Sequence, residues 1–290
     1  MRESIICVGQ MAGEPYRFPE TGTPVYSYEE LCYYLSRHMI FYLYSLPEEE
    51  LLLYIREELG MEKLYRQLSR YTDPGRDQMK YFAALFREGN YFSEEEIRRI
   101  LDEYRDLKNT SYALQCKWTG DELLKAGRAS AAIYHYQEAL RTEEMNRSET
   151  GSVYHNMALA KSRLFRFEDA GIDFVKAYQY AGDEESLFGY FGIVAFTEDL
   201  ARAREEMETF QISELSMEAF ENRFADIADD FACSGQAEMH RKIEYLQQSG
   251  REEEAKNRYA HLVRRLQTDF RPEMEQPDEK KDTQRMELVV

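Results

Sequence analysis

Residues 127–140 read GRASAAIYHYQEAL, a glycine followed by alanines and tyrosines spaced for one face of a helix. Ala132, Tyr136 and Ala139 recur at steps of four and three, so they line up along one side. Upstream of the break at Gly127, Gly120 and Leu123 extend the same pattern of small and large residues. Two antiparallel helices approach closely only where their facing side chains are small. Gly120 opposite Ala132 therefore sets a close crossing, and Tyr136 fills the space beyond it.

The pattern returns between residues 151 and 182, where Tyr154, Met157, Ala158, Phe167, Ala170, Phe174 and Ala177 take the corresponding places, Ala170 lying 38 residues after Ala132. Phe165 stands where the turn glycine belongs, which leaves that turn without its usual residue. Weaker copies are drawn with Ala203, Met207 and Phe210, and with Gly250, Ala255, Tyr259 and Leu262 preceded by Met239, Ile243 and Leu246. The interval from 203 to 255 leaves room for an additional helix around 217–233. Ordinary bundle helices would account equally well for the third and fourth copies.

Over residues 113–146, and again in the second copy, these positions resemble the tetratricopeptide repeat family. The resemblance implies an all-α fold: a right-handed superhelix of antiparallel helical hairpins over 111–270, packed beside an N-terminal helical region at 27–110. It also implies a groove lined by the first helix of each unit. The inward positions correspond here to Leu114, Lys117, Asp121, Leu124 and Lys125, then to Ser152, His155, Leu159, Ser162 and Arg163. Such a face is partly apolar and partly cationic and suits an extended or helical acidic peptide. An equally simple reading leaves it solvated or covered by the chain itself. Some relatives clamp the C-terminal carboxylates of chaperones with Lys and Asn. Lys117 and Asn156 match two clamp positions, but Asp121, Glu185 and Gly189 depart from the pattern, and a carboxylate at Asp121 repels such a ligand. The stretch PVYSYEELCYYL, with CVGQMAGEPY upstream, is also similar to a family of repeat-containing proteins of clostridia and related Firmicutes. That likeness implies a bacterial cytoplasmic protein and brings no activity with it.

Outside the repeats, glycines and prolines crowd residues 1–26, which read as an extended leader with one short strand at 4–8. Ser27 followed by Glu30, and Ser93 followed by Glu96, are capping boxes that open helices. The first runs through Leu31, Leu35, His38 and Tyr42. Further helices are expected from Pro47 to Leu59, over 61–71 and over 77–88, the latter two separated by TDPG. Fourteen of the 22 tyrosines lie at or before Tyr112. They either pack helices together with their hydroxyls toward water or form a binding face. Residues 271–290 read as a disordered acidic tail that ends in the apolar MELVV.

With 55 Asp and Glu against 37 Lys and Arg, the net charge is −18. A surface this acidic repels phosphate backbones and anionic membranes, so nucleic acid and membrane are not expected as partners. The longest apolar run, MIFYLYSL at 39–46, is far short of a bilayer span. Four dispersed cysteines suggest neither disulfides nor zinc. None of the five histidines sits in a metal-binding spacing, and no phosphate-binding glycine loop or nucleophile elbow occurs. No catalytic residue, metal or cofactor is expected. The chain reads as a non-enzymatic scaffold that binds a protein or peptide, the alternative being self-association through its tyrosine-rich N-terminal region.

Overall fold

The computed structural model describes residues 8–46, 49–71, 78–142 and 144–274. It is all-α: 77% of it is helical, in fourteen helices with two very short strands among the described residues. The described residues divide into two compact units, one of 8–127 with 137–144 and the other of 128–136 with 145–274.

The first unit begins with β1 (Tyr16–Arg17) and β2 (Pro24–Val25), paired antiparallel with Tyr16 opposite Val25. Helices α1 (Tyr28–Arg37), α2 (Glu49–Glu57), α3 (Glu62–Leu68), α4 (Gln78–Arg87), α5 (Glu94–Asn109) and α6 (Tyr112–Lys125) follow. Both expected helix starts are present. Ser93 and Glu96 exchange the two bonds of a capping box. Ser27 accepts from the Glu30 N–H, but the Glu30 carboxylate reaches back one residue further than expected, to the Tyr26 N–H. The first helix does not run to Tyr42. It stops at His38, and Met39–Tyr42 tightens into a 3₁₀ turn whose four residues are all buried. The leader is not loose over its described part, since Phe18 stacks on Tyr34 at 3.6 Å and Gln10 donates to the Leu59 carbonyl. Apart from Val8, the strand expected at 4–8 lies outside the described residues. So do Pro47, the TDPG break, Asp77 and the tail from 275 onward.

Several tyrosines of this unit turn inward, while Tyr26 and Tyr33 stay exposed. Tyr28 donates to the Leu85 carbonyl and accepts from the Gly89 N–H at 3.1 Å, and a Cβ on Gly89 would lie 2.2 Å from its ring. Tyr54 donates to Val25 O at 2.7 Å, and Tyr104 to Tyr42 O at 3.0 Å. Their hydroxyls thus bond to backbone carbonyls of distant segments rather than to water, each tying two elements together.

The second unit contains α8 (Arg147–Arg163), α9 (Phe167–Ala181), α10 (Glu184–Thr197), α11 (Leu200–Thr209), α12 (Glu214–Ala232), α13 (Gly235–Gln248) and α14 (Glu252–Met274). The boundary between units falls within α7 (Ala129–Arg141). Helix α12 is the additional helix expected near 217–233. Helix α14 continues four residues into the span read as tail. Each helix of α8 through α14 packs on the next. Ala158, Ala170 and Phe174 are buried together where α8 crosses α9, the close approach that the alanine pattern requires. Gly151 and Gly189 make the same kind of room. A Cβ on Gly151 would meet Ala181 Cβ at 2.6 Å, and one on Gly189 would meet the Phe174 ring at 2.6 Å. A larger cluster built on Leu187, Phe191, Met207 and Phe220 joins α10, α11 and α12.

Four helix ends close with the same turn. Gly127, Phe165, Gln211 and Gly250 all adopt positive φ, at 72°, 58°, 58° and 75°. At the last three the next residue's N–H returns to a carbonyl one turn back, as in Arg166 to Lys161 at 3.0 Å, Ile212 to Met207 at 3.0 Å and Arg251 to Leu246 at 2.9 Å. Phe165 therefore makes the turn that glycine makes in the preceding hairpin, in a conformation that crowds its Cβ against the backbone.

Candidate functional site

The residues expected to line a groove divide between the units. In the first, Leu114 on α6 is half-buried, while Leu124 is buried and so offers no open apolar surface. Lys117 Nζ lies 2.7 Å from Asp121 Oδ2, and Lys125 Nζ lies 2.7 Å from Glu122 Oε1. In the second, His155, Asn156, Leu159 and Arg163 follow one another along α8. His155 Nδ1 is 2.9 Å from Ser186 Oγ, and its ring packs edge-on against Phe174. Burial lowers its pKa, against the opposing pull of Asp183 and Glu185. Leu159 is exposed, and Arg163 lies 3.9 Å from Glu273 on α14. Glu273 also accepts from the Ala129 N–H at the start of α7, so the end of α14 is tied to this edge of the second unit. Lys117, Lys125 and Arg163, the cationic positions of the expected groove, each have a carboxylate beside them.

A different surface of the second unit is open and apolar. Between α9 and α10 runs a groove of about 1050 Å³, with Val175, Tyr190, Ile193 and Val194 along its length and Phe165 and Ile172 exposed at its edge. Phe167 lines it and packs on the exposed Phe196 with ring centroids 5.4 Å apart. Phe165 packs in turn on Phe167 and on Phe270 of α14. Its charges are largely committed: Arg166 pairs with Asp169 at 2.6 Å, and Lys176 lies over the Tyr154 ring and near Asp173. Beneath α9, the buried Lys161 and Asp173 form an ion pair that joins α8 to α9 and holds the inner side of the groove wall.

The sequence carried a signal for this surface. Helix α9 has one apolar stripe for its core, Ala170, Phe174 and Ala177, and a second, Ile172 and Val175, turned away from it. A helix apolar on two faces needs two neighbours or a ligand. The phenylalanine at the turn-glycine position was the other sign.

Among the described residues, no three or more His, Cys, Asp or Glu side chains come together as metal ligands, and no helix is long and apolar enough to cross a membrane. No family model, curated protein or solved structure matches the chain.

Proposed function

We propose that this protein is a tetratricopeptide-like, non-enzymatic scaffold that binds a segment of another protein in the groove between α9 and α10. The observation that carries this reading is Phe165. It is 67% exposed, sits at the groove's edge, and holds a left-handed conformation that costs a bulky side chain about 1–2 kcal/mol relative to glycine. A strained residue that contributes little buried surface to its own fold is accounted for by what it offers a ligand. The groove is largely apolar and its cations Arg166 and Lys176 each have a carboxylate nearby, so recognition rests on two or three apolar anchors at helical or extended spacing, with no requirement for acidic residues. The α8 face around Leu159 becomes secondary to it.

The test is to pan a displayed library of random fifteen-residue peptides against the full chain, with Ile172→Glu as counter-target. Enriched peptides should share spaced apolar anchors and bind Ile172→Glu at least tenfold more weakly, with its helicity unchanged. Failure to enrich, or equal binding to both proteins, contradicts the proposal.

A further inference from the structure

Helix α12 carries an apolar stripe at alternating steps of four and three: Met217, Phe220, Phe224, Ile227 and Phe231. This is the spacing of a helix–helix seam. Its first half is used within the chain, since Met217 and Phe220 belong to the buried cluster of α10 and α11 and Phe224 packs against it. Its second half continues into solvent, where Ile227 and Phe231 are each 60% exposed. One seam thus runs unbroken from core to bare surface. Asp226, Asp229 and Asp230 stand within a turn of the bare half, and no ion pair among the described residues reaches any of them.

Helix α14 shows the complementary arrangement. Ala255 and Leu262 pack on Ile243 and Leu246 of α13, while Tyr259 and Leu266 on the same stripe are 59% and 45% exposed. This stretch is basic: Lys256, Arg258, Arg264, Arg265 and Arg271 stand against Asp269 alone over 256–271. Arg258, Arg264 and Arg271 have no ion-pair partner among the described residues. Within one chain α13 packs on both helices, so the acidic stripe and the basic stripe face outward separately.

We infer that the occupant of the bare half of α12 is α14 of a second copy of this chain. A twofold-symmetric pair makes this contact twice, α12 on its partner's α14 and α14 on its partner's α12, which satisfies both stripes at once. Pairing α12 with itself would set carboxylate against carboxylate. The crossed arrangement sets Asp226 and Asp230 against Arg258 and against Arg265, whose own-chain contact is a long, exposed one of 3.8 Å to Asp269, the way flanking charges fix partner and register in paired helices. The seam residues used here, at 224–231 and 255–266, are not among those lining the α9–α10 groove, so the inference does not depend on the function proposed above.

The experiment is light scattering and sedimentation of the full chain over a wide concentration range. The mass should rise from 34.4 kDa toward twice that value. Phe231→Asp, at an exposed position, should hold it at the single-chain mass with unchanged helicity. Arg258→Asp with Arg265→Asp should weaken the dimer at least tenfold, and adding Asp226→Arg with Asp230→Arg should restore most of the loss. A wild-type chain that stays at 34.4 kDa throughout overturns the inference and leaves these stripes to another partner. A dimer indifferent to Phe231→Asp and to the charge exchange also overturns it, because the contact then lies elsewhere.

Discussion

The two units differ in how many aromatic rings they leave exposed: among the described residues the second leaves more, although Phe174 and Phe191 are buried in it too. In the first, Tyr28, Tyr54, Phe82 and Tyr104 are buried, and the tyrosine hydroxyls are bonded to backbone carbonyls of other elements. In the second, Phe165, Phe196, Phe231, Tyr245 and Tyr259 are exposed. Richness in aromatics therefore does not itself mark a binding face. A ring that spends its surface and its hydroxyl inside the fold contributes stability, and one held outside at the fold's expense is available to a partner. The tyrosine-rich N-terminal region, which looked like the natural place for self-association, offers few such rings among its described residues.

Paired alanine substitutions give the most forceful test of this contrast. Phe82, fully buried among Tyr42, Tyr81, Phe86 and Tyr104, should lose about 3–5 kcal/mol of stability on replacement by Ala. Phe196, 68% exposed, should lose no more than about 0.5 kcal/mol. Chemical denaturation measures both, and comparable losses would erase the distinction between the units.

A smaller effect follows from acidification. His38 in the first unit and His155 in the second both have pKa values lowered by burial, each against nearby carboxylates. The unfolded chain therefore takes up protons first as pH falls below about 6.5, and the stability these neutral imidazoles permit is present above that pH and lost below it. Trp118 on α6 is the sole tryptophan and reports the first unit. His38→Gln should flatten the decline between pH 7 and 5.5 seen by Trp118 fluorescence, and His155→Gln should flatten that seen by exchange of α8 and α9 amides. A decline unchanged by either substitution would remove the histidines from the account.

Much of the fold was legible because it rests on local chemistry. Ser93 with Glu96, the alanines at 132, 170, 203 and 255, and the gap that holds α12 all act through short-range geometry that the sequence displays. The stop at His38 was not legible, since the stripe from Leu31 to Tyr42 reads as continuous helix and only the packing of Met39–Tyr42 favours a tighter turn. Asn146 with Glu149 forms a further capping box, which was not read from the sequence. The charge pairing along the expected groove was not legible for a different reason. Spacing identifies which side chains share a face, but whether Lys117, Lys125 or Arg163 is free depends on the carboxylates around it, two of them on the same helix and one more than a hundred residues away. Phe165 stood out in the sequence as a missing glycine. That its backbone takes the glycine conformation unaided became apparent only in the structure.

The most direct measurement is Phe165→Gly, followed by both denaturation and peptide binding. Glycine relieves the left-handed strain, and the ring it removes is mostly exposed, so stability should rise by up to about 1 kcal/mol. Affinity for groove-selected peptides should fall at least tenfold. Stability gained while binding is lost is the outcome this account predicts. A variant that is destabilised, or that binds those peptides as well as the wild type, would show that Phe165 serves the fold and not a ligand.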